Sequence, residues 1–145
     1  MPKPKFTIAK IGSNEQWMEV RDFVKEQFEN PLQGVYYYAK NREGKVVGAL
    51  VGNMYRSFMD ALTDTTVYDC FVTKGIAVDH NTRRQGCGRS LVEFLEDDAS
   101  EIDGIRVNFY AEVLEQSAEF WTAIGYKRVG EGSALWKSNN SRPNP

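Results

Sequence analysis

The chain reads as one α/β domain built on a mixed central sheet. Three observations predict this. Segments with alternating apolar residues are interleaved with segments of helical period, the helical segments are amphipathic and so must cover a sheet face, and the middle strands follow one another through hairpin-type turns. The element order is β-α-β-β-β-α-β-α-β-β, a sheet of six to seven strands with helices on both faces. Residues 1–137 carry the pattern as a single domain. The remaining SNNSRPNP, residues 138–145, is polar and unpatterned and is expected to be a disordered tail.

Lys5 to Ile11 alternates Phe6, Ile8 and Ile11 with polar neighbours and forms the first strand, ended by Gly12. Ser13 followed three residues later by Gln16 is a capping-box signature. Trp17, Val20, Val24 and Phe28 then recur at helical spacing until Asn30-Pro31 stops the run. Val35–Ala39 and Lys45–Tyr55 are β-rich and are joined by Asn41-Arg42-Glu43-Gly44, so they should pair antiparallel. RSFMDALTDT, from Arg56 to Thr65, has no clear period. Thr66 to Val78 is again β-branched and aromatic, with Gly75 as a bulge or close-approach point. A polar loop, HNTRRQGCG, leads to a helix with apolar Leu91, Val92, Leu95, Ala99 and Ile102. Its other face carries Glu93, Glu96, Asp97, Glu101 and Asp103 and reads as solvated. Ile105–Val113 is the fifth strand, Ser117–Ile124 a short helix closed by Gly125, and Tyr126–Val129 with Ala134–Lys137 a final hairpin.

Composition narrows the function classes. With 145 residues and 41% hydrophobic content the chain can bury roughly 68–70% of its unfolded surface without disulfide or metal. Cys70, Cys87 and the single His80 form no metal-ligand spacing, so no metal is expected and a reducing, cytoplasmic setting is the default. Met1-Pro2-Lys3-Pro4-Lys5 leads into a strand-like segment without an apolar run, so neither a signal peptide nor a membrane span is expected. The net charge of −2 gives no global electrostatic reason for a nucleic-acid or acidic-membrane partner, and any anion site must be local.

The stretch from Gly75 to Ala99 carries the chemistry. An apolar strand end, a turn with Arg83, Arg84, Gly86 and Gly88, and a helix start make a place where backbone N–H groups can meet an anion. A plain strand-to-helix turn with surface arginines is the competing reading. The P-loop pattern fails, because Arg83 stands five residues before Gly88 and Arg89 replaces the lysine. The dinucleotide fingerprint fails at Leu91. The pattern Arg83-x-x-Gly86-x-Gly88 after a strand resembles the acyl-CoA-binding motif of the GNAT superfamily of N-acetyltransferases. Phe120-Trp121-Thr122-Ala123-Ile124-Gly125-Tyr126 is similar to a later segment of that family, usually F-Y-x-x-x-G-F, and the element order over residues 5–137 is similar as well.

The resemblance implies a sheet that splays between its fourth and fifth strands, with acetyl-CoA as acyl donor in the gap. Ile76, Ala77 and Val78 would bond the pantetheine arm. Main-chain N–H groups over Arg83, Arg84, Gln85, Gly86, Cys87, Gly88, Arg89 and Ser90 would cradle the pyrophosphate, and Trp121 would lie against the donor. Cys87 reads as a small packing residue, with a helix-terminal nucleophile as the alternative. His80 reads as a surface residue.

Direct transfer needs a base for the incoming ammonium, a donor to the carbonyl oxygen and an acid for the leaving thiolate. The resemblance puts a backbone N–H near Ala77 or Val78 at the oxygen, and Asp69 and Glu112 are the matching residue types for the base, each with a plain surface carboxylate as its competing reading. The family's usual tyrosine acid is Trp121 here, whose indole N–H cannot serve as an acid. Ser117, Tyr110 and Tyr126 are the replacements, with water as the other source. The aromatic Met54–Asp60 segment is read as acceptor-pocket lining, dimer contact or core cover, and a homodimer is permitted. The expected function is acetyl transfer from acetyl-CoA to a primary amine of a small molecule or peptide. A non-catalytic acyl-CoA-binding or protein-interaction module is the alternative, and aminoacyl-tRNA is the least favoured acceptor given a pI near 5.5.

Overall fold

A computed structural model describes residues 5–28, 33–59, 67–99, 101–102, 105–112, 118–128 and 134–137. Its strands and helices are β1 (Thr7–Lys10), α1 (Asn14–Gln27), β2 (Val35–Lys40), β3 (Val46–Met59), β4 (Val67–Val78), α2 (Cys87–Asp98), β5 (Glu101–Ile102), β6 (Ile105–Glu112), α3 (Ala118–Ala123), β7 (Lys127–Arg128) and β8 (Ala134–Lys137). The sheet runs β1-β2-β3-β4-β6-β8-β7, with β5 beside β6. Among the described residues that makes eight strands instead of the expected six to seven. The additional one is β5, because Ile102 does not continue the preceding helix but pairs antiparallel with Ile105. The chain forms two compact units, residues 1–52 with 75–95 and residues 53–74 with 96–145.

In the first unit β1, β2 and β3 form an antiparallel ladder, with Ile8 opposite Ala39, Tyr37 opposite Leu50 and Tyr38 opposite Ala49. The predicted hairpin turn is held by Asn41, whose Oδ1 accepts the N–H groups of Glu43 and Lys45, while Gly44 takes a φ of 83°. The capping box forms as read: Ser13 Oγ accepts the Gln16 N–H at 3.2 Å, and Gln16 Oε1 accepts the Gly12 N–H at 2.7 Å. The helix then stops at Gln27, with Phe28 as its C-cap.

Strand alternation divides the three consecutive tyrosines between the two faces. Tyr36 and Tyr38 join Ala49 and Val51 under Val20 and Val24 of α1, with the Trp17 and Tyr36 rings 5.4 Å apart. Tyr37 points the other way, and its ring meets Phe94 of α2 edge-on at 5.9 Å. Gly48 lies on this second face too, directly below Cys87 and Leu91. Helices therefore cover both faces of this part of the sheet, as expected.

In the second unit β4 and β6 run parallel from Asp69↔Val107 to Thr73↔Ala111, and β8 pairs antiparallel with both β6 and β7. This parallel pair makes the sheet mixed. Phe71, Val107, Phe109 and Ala111 are buried. The short α3 ends where Gly125 adopts a φ of 104° and the Tyr126 N–H reaches back to the Trp121 carbonyl at 3.0 Å, the predicted glycine C-cap. Strand β3 extends through Met59, into the part that the sequence leaves without a period, while the rest of that segment to Thr65 lies outside the described residues. Among the described residues no helix is long and apolar enough to cross a membrane.

Candidate functional site

After Val78 the first unit turns sharply. The Asp79 N–H donates to Val47 O at 2.8 Å, closing β4 against β3, and a short 3-10 turn over His80–Thr82 follows. Arg83 Nε reaches back to Val78 O at 3.3 Å, and Gln85 Nε2 donates to Asn81 O at 3.2 Å. The loop is thus tied to the strand end by its own side chains. Arg84 sits at φ 67° and Gly86 at φ 88°, both left-handed. A Cβ on Gly86 would meet nothing within 4 Å, so this glycine is set by backbone conformation and borders open space.

Helix α2 starts immediately afterwards. Gly86 O accepts the Ser90 N–H at 2.9 Å as its first helical bond. The N–H groups of Cys87, Gly88 and Arg89 therefore have no acceptor within the helix and point out of its positive end. Arg83, Arg84 and Arg89 are exposed around them, with Arg89 Nε held by Glu93 Oε1 at 2.9 Å. Successive backbone donors, a left-handed turn and exposed guanidinium groups are the parts of an anion site. Ile76, Ala77 and Val78 stand half-buried on the strand that leads into it. His80 is exposed at the turn, as expected for a surface residue.

Cys87 faces the interior at 1% exposure, and burial pushes its thiol up to about 11. Its burial agrees with the packing reading, since a thiolate nucleophile needs an accessible, low-pKa setting. Its neighbour is Gly48: a Cβ there would lie 2.8 Å from Cys87 Sγ and 3.1 Å from Leu91 Cδ1. A glycine inside an apolar strand was the available signal for this close approach.

In the second unit Asp69 lies on β4 opposite Val107, and Glu112 ends β6 opposite Ala134. Tyr110, half-buried on β6, is opposite Val72. Ser117 lies outside the described residues. Trp121 and Tyr126 are each 1% exposed, their rings 4.8 Å apart edge to face, and Phe120 packs edge-on to Trp121 at 5.3 Å. The Tyr126 hydroxyl donates to Glu96 Oε2 at 2.9 Å. This corrects the reading of Glu96 as part of a solvated face: it is 2% exposed, on the inward side of the last turn of α2. The sequence hid it because its neighbours Asp97 and Asp98 are exposed carboxylates. Thr73 was also missed. It is 2% exposed, and its hydroxyl has no hydrogen-bond partner among the described residues. No group of three or more His, Cys, Asp or Glu side chains able to hold a metal ion occurs among the described residues.

The fold is shared with solved acetyltransferases. AtaT complexed with acetyl-methionyl-tRNAfMet aligns with a TM-score of 0.63 at 19% identity, covering 94% of this chain and 96% of that one. AtaTR bound with acetyl-CoA aligns at 0.65 and 20% identity, covering 94% and 95%. Arabidopsis thaliana Naa50 in complex with the bisubstrate analogue CoA-Ac-MVNAL aligns at 0.65 and 12% identity, covering 92% and 96%. The first of these carries a tRNA, so the shared fold lends no support to the expectation, drawn from net charge, that nucleic acid is not a partner. No curated protein matches the chain. Residues 5–126, from the first strand through the Trp121–Tyr126 segment, match the sequence pattern of the Acetyltransferase (GNAT) family, and the chain belongs to that family.

Proposed function

We propose that the protein is an N-acetyltransferase that takes the acetyl group of acetyl-CoA and passes it to a primary amine. The observation that carries this reading is the left-handed Arg84–Gly86 turn opening into the free N–H groups of α2 among exposed Arg83, Arg84 and Arg89. A pyrophosphate fits such a place: backbone donors fix it, the guanidinium groups neutralise it, and Gly86 leaves room for it. The arm of the donor would then run back along Val78, Ala77 and Ile76. The acetyl-CoA and CoA-peptide complexes of the fold neighbours support the same donor. Residues 1–137 act as one domain in this reading, in a cytoplasmic setting.

Transfer proceeds by direct attack. The amine nitrogen forms a bond to the thioester carbon while the carbon–sulfur bond breaks, the ammonium proton leaves to a base, and the thiolate takes a proton. Asp69 and Glu112 are the candidate bases, acting directly or through water. A backbone N–H near Ala77 or Val78 is the candidate donor to the carbonyl oxygen. Tyr110, Ser117 and Tyr126 remain the candidate acids, and the Tyr126 hydroxyl already donates to Glu96. The acceptor is an amine of a small molecule or peptide; an aminoacyl-tRNA is the further class suggested by the AtaT complex.

A second reading, an acyl-CoA-binding module without turnover, rests on Trp121. Its indole is buried and cannot supply a proton. Calorimetric titration with acetyl-CoA, dephospho-CoA and ATP tests the donor site in both readings. Micromolar binding of acetyl-CoA by the wild type is expected, weakened about tenfold by Gly86→Val, since a β-branched residue in the left-handed region costs about 1–2 kcal/mol. Absence of binding to all three would reduce the loop to a turn. Free-thiol release with a panel of amines and a charged tRNA then separates the readings: for Trp121→Tyr, a fall from measurable activity marks a working site, and a rise from none marks a module.

A further inference from the structure

Helix α1 carries an exposed thioether with a hydrogen-bond donor already turned toward it. Met18 is 51% exposed, the one large apolar side chain so open among the described residues, and Arg21 Nη1 donates to its Sδ at 3.5 Å. A thioether is a weak acceptor, so this bond uses little of what a guanidinium can give. The Arg21 Nε–H is served less well still. It is covered, has no hydrogen-bond partner among the described residues, and lies 3.7 Å from Asp22 Oδ1, beyond hydrogen-bond length. Met18 and Arg21 are three positions apart, so they are neighbours on the surface of α1. The helix does not depend on Met18 for packing, since Val20 and Val24 are buried and Trp17 and Phe23 pack beside them.

We propose that Met18 is a site of oxidation by hydroperoxides, and that Arg21 is the group that holds the oxidised side chain. A sulfur lone pair attacks the outer peroxide oxygen, an S–O bond forms as the O–O bond breaks, and the peroxide proton passes to the departing oxygen. Sulfur loses two electrons, and the hydroperoxide leaves as an alcohol, or as water when it is hydrogen peroxide. The sulfoxide oxygen is a much stronger acceptor than the thioether, and it stands one S–O bond from the sulfur that Nη1 already meets. Helix α1 therefore keeps its packing in both oxidation states, with the exposed end of one side chain absorbing the change. The inference is independent of the acyl-transfer reading, because neither residue belongs to the proposed donor site.

Hydrogen peroxide applied to the folded wild type, followed by peptide mass mapping, tests the site. Met18 is expected to gain one oxygen about fivefold faster than the half-buried Met54, and urea unfolding should remove the difference. Limited oxidation of the wild type and of Arg21→Ala, with the reduced and Met18-oxidised forms separated and melted, tests the part given to Arg21. Oxidation should lower the Tm of Arg21→Ala by about 1–2 °C more than that of the wild type, the size of one side-chain pair at this spacing. Met18→Leu carried through the same exposure should keep its Tm. A fall there assigns the change to another methionine and overturns the proposal. Equal rates for Met18 and Met54 overturn the site, and equal Tm changes with and without the guanidinium overturn the role of Arg21.

Discussion

Gly48 and Cys87 form a pair in which the absence of a side chain at one leaves room for the thiol of the other. Adding a methyl at Gly48 forces Cys87 Sγ, 2.8 Å away, or Leu91 Cδ1, 3.1 Å away, to move. Gly48→Ala is expected to cost about 1–3 kcal/mol in urea unfolding, the range for overpacked cores. Cys87→Ala added to it should recover part of that loss, because the two substitutions share one volume. The thiol has its own pH signature. Its folded value of about 11 lies above the ordinary 9.0, because burial disfavours the thiolate. The sign follows: the unfolded chain loses its proton first, so the contribution of Cys87 is intact below pH 9 and declines between pH 9 and about 11. In a Cys70→Ser background, Ellman's reagent at pH 7.5 should leave the folded protein unmodified and react fully once urea unfolds it. Rapid reaction of the folded protein would contradict the burial. Arg84 illustrates the opposite case, a residue that strains its backbone at φ 67°. Arg84→Gly should gain about 1 kcal/mol of stability while weakening acetyl-CoA binding, an exchange visible only if melting and titration are run on the same variant.

Among the elements, α3 depends most on its surroundings. Six residues are too few for a helix to hold by itself. It is fixed by the buried Trp121 ring, by the Gly125 cap and by Tyr126, whose hydroxyl is anchored on Glu96. Tyr126→Phe should lower stability by about 1 kcal/mol, the value of one buried hydrogen bond, and chemical denaturation measures it directly. The sequence was clearest for elements whose signal is local. The Ser13–Gln16 box, the Asn41–Gly44 turn and the Gly125 cap each follow from residues within a few positions of one another. It was poorest where a distant partner decides. Glu96 is the same kind of residue as its exposed neighbours, and its bond to Tyr126, thirty positions on, sets it apart. Ile102 fits the helical period of α2 and leaves it because Ile105 offers a strand to pair with. The turn proposed to hold the donor's phosphates was legible because glycine and arginine spacing encodes it. The proposed bases and acids of transfer were not, since such roles depend on where the strands carrying them lie in space.

For the whole molecule, a net charge of −2 says little about partners, because Arg83, Arg84 and Arg89 cluster at one loop. If they hold the donor phosphates, acetyl-CoA affinity should fall severalfold between 50 and 500 mM NaCl, as exposed ion contacts are screened within about 10 Å or less. Affinity independent of salt would point away from those side chains. The two compact units have a further implication. Neither is a continuous stretch, since the first takes residues 1–52 and 75–95 and the second takes 53–74 and 96–145. The polypeptide leaves the first unit before it is complete, returns and leaves again, so no single cut frees an intact half. Such interleaving makes inheritance indivisible: recombination, fragment expression and partial synthesis on the ribosome all deliver either the whole folding unit or incomplete pieces of two.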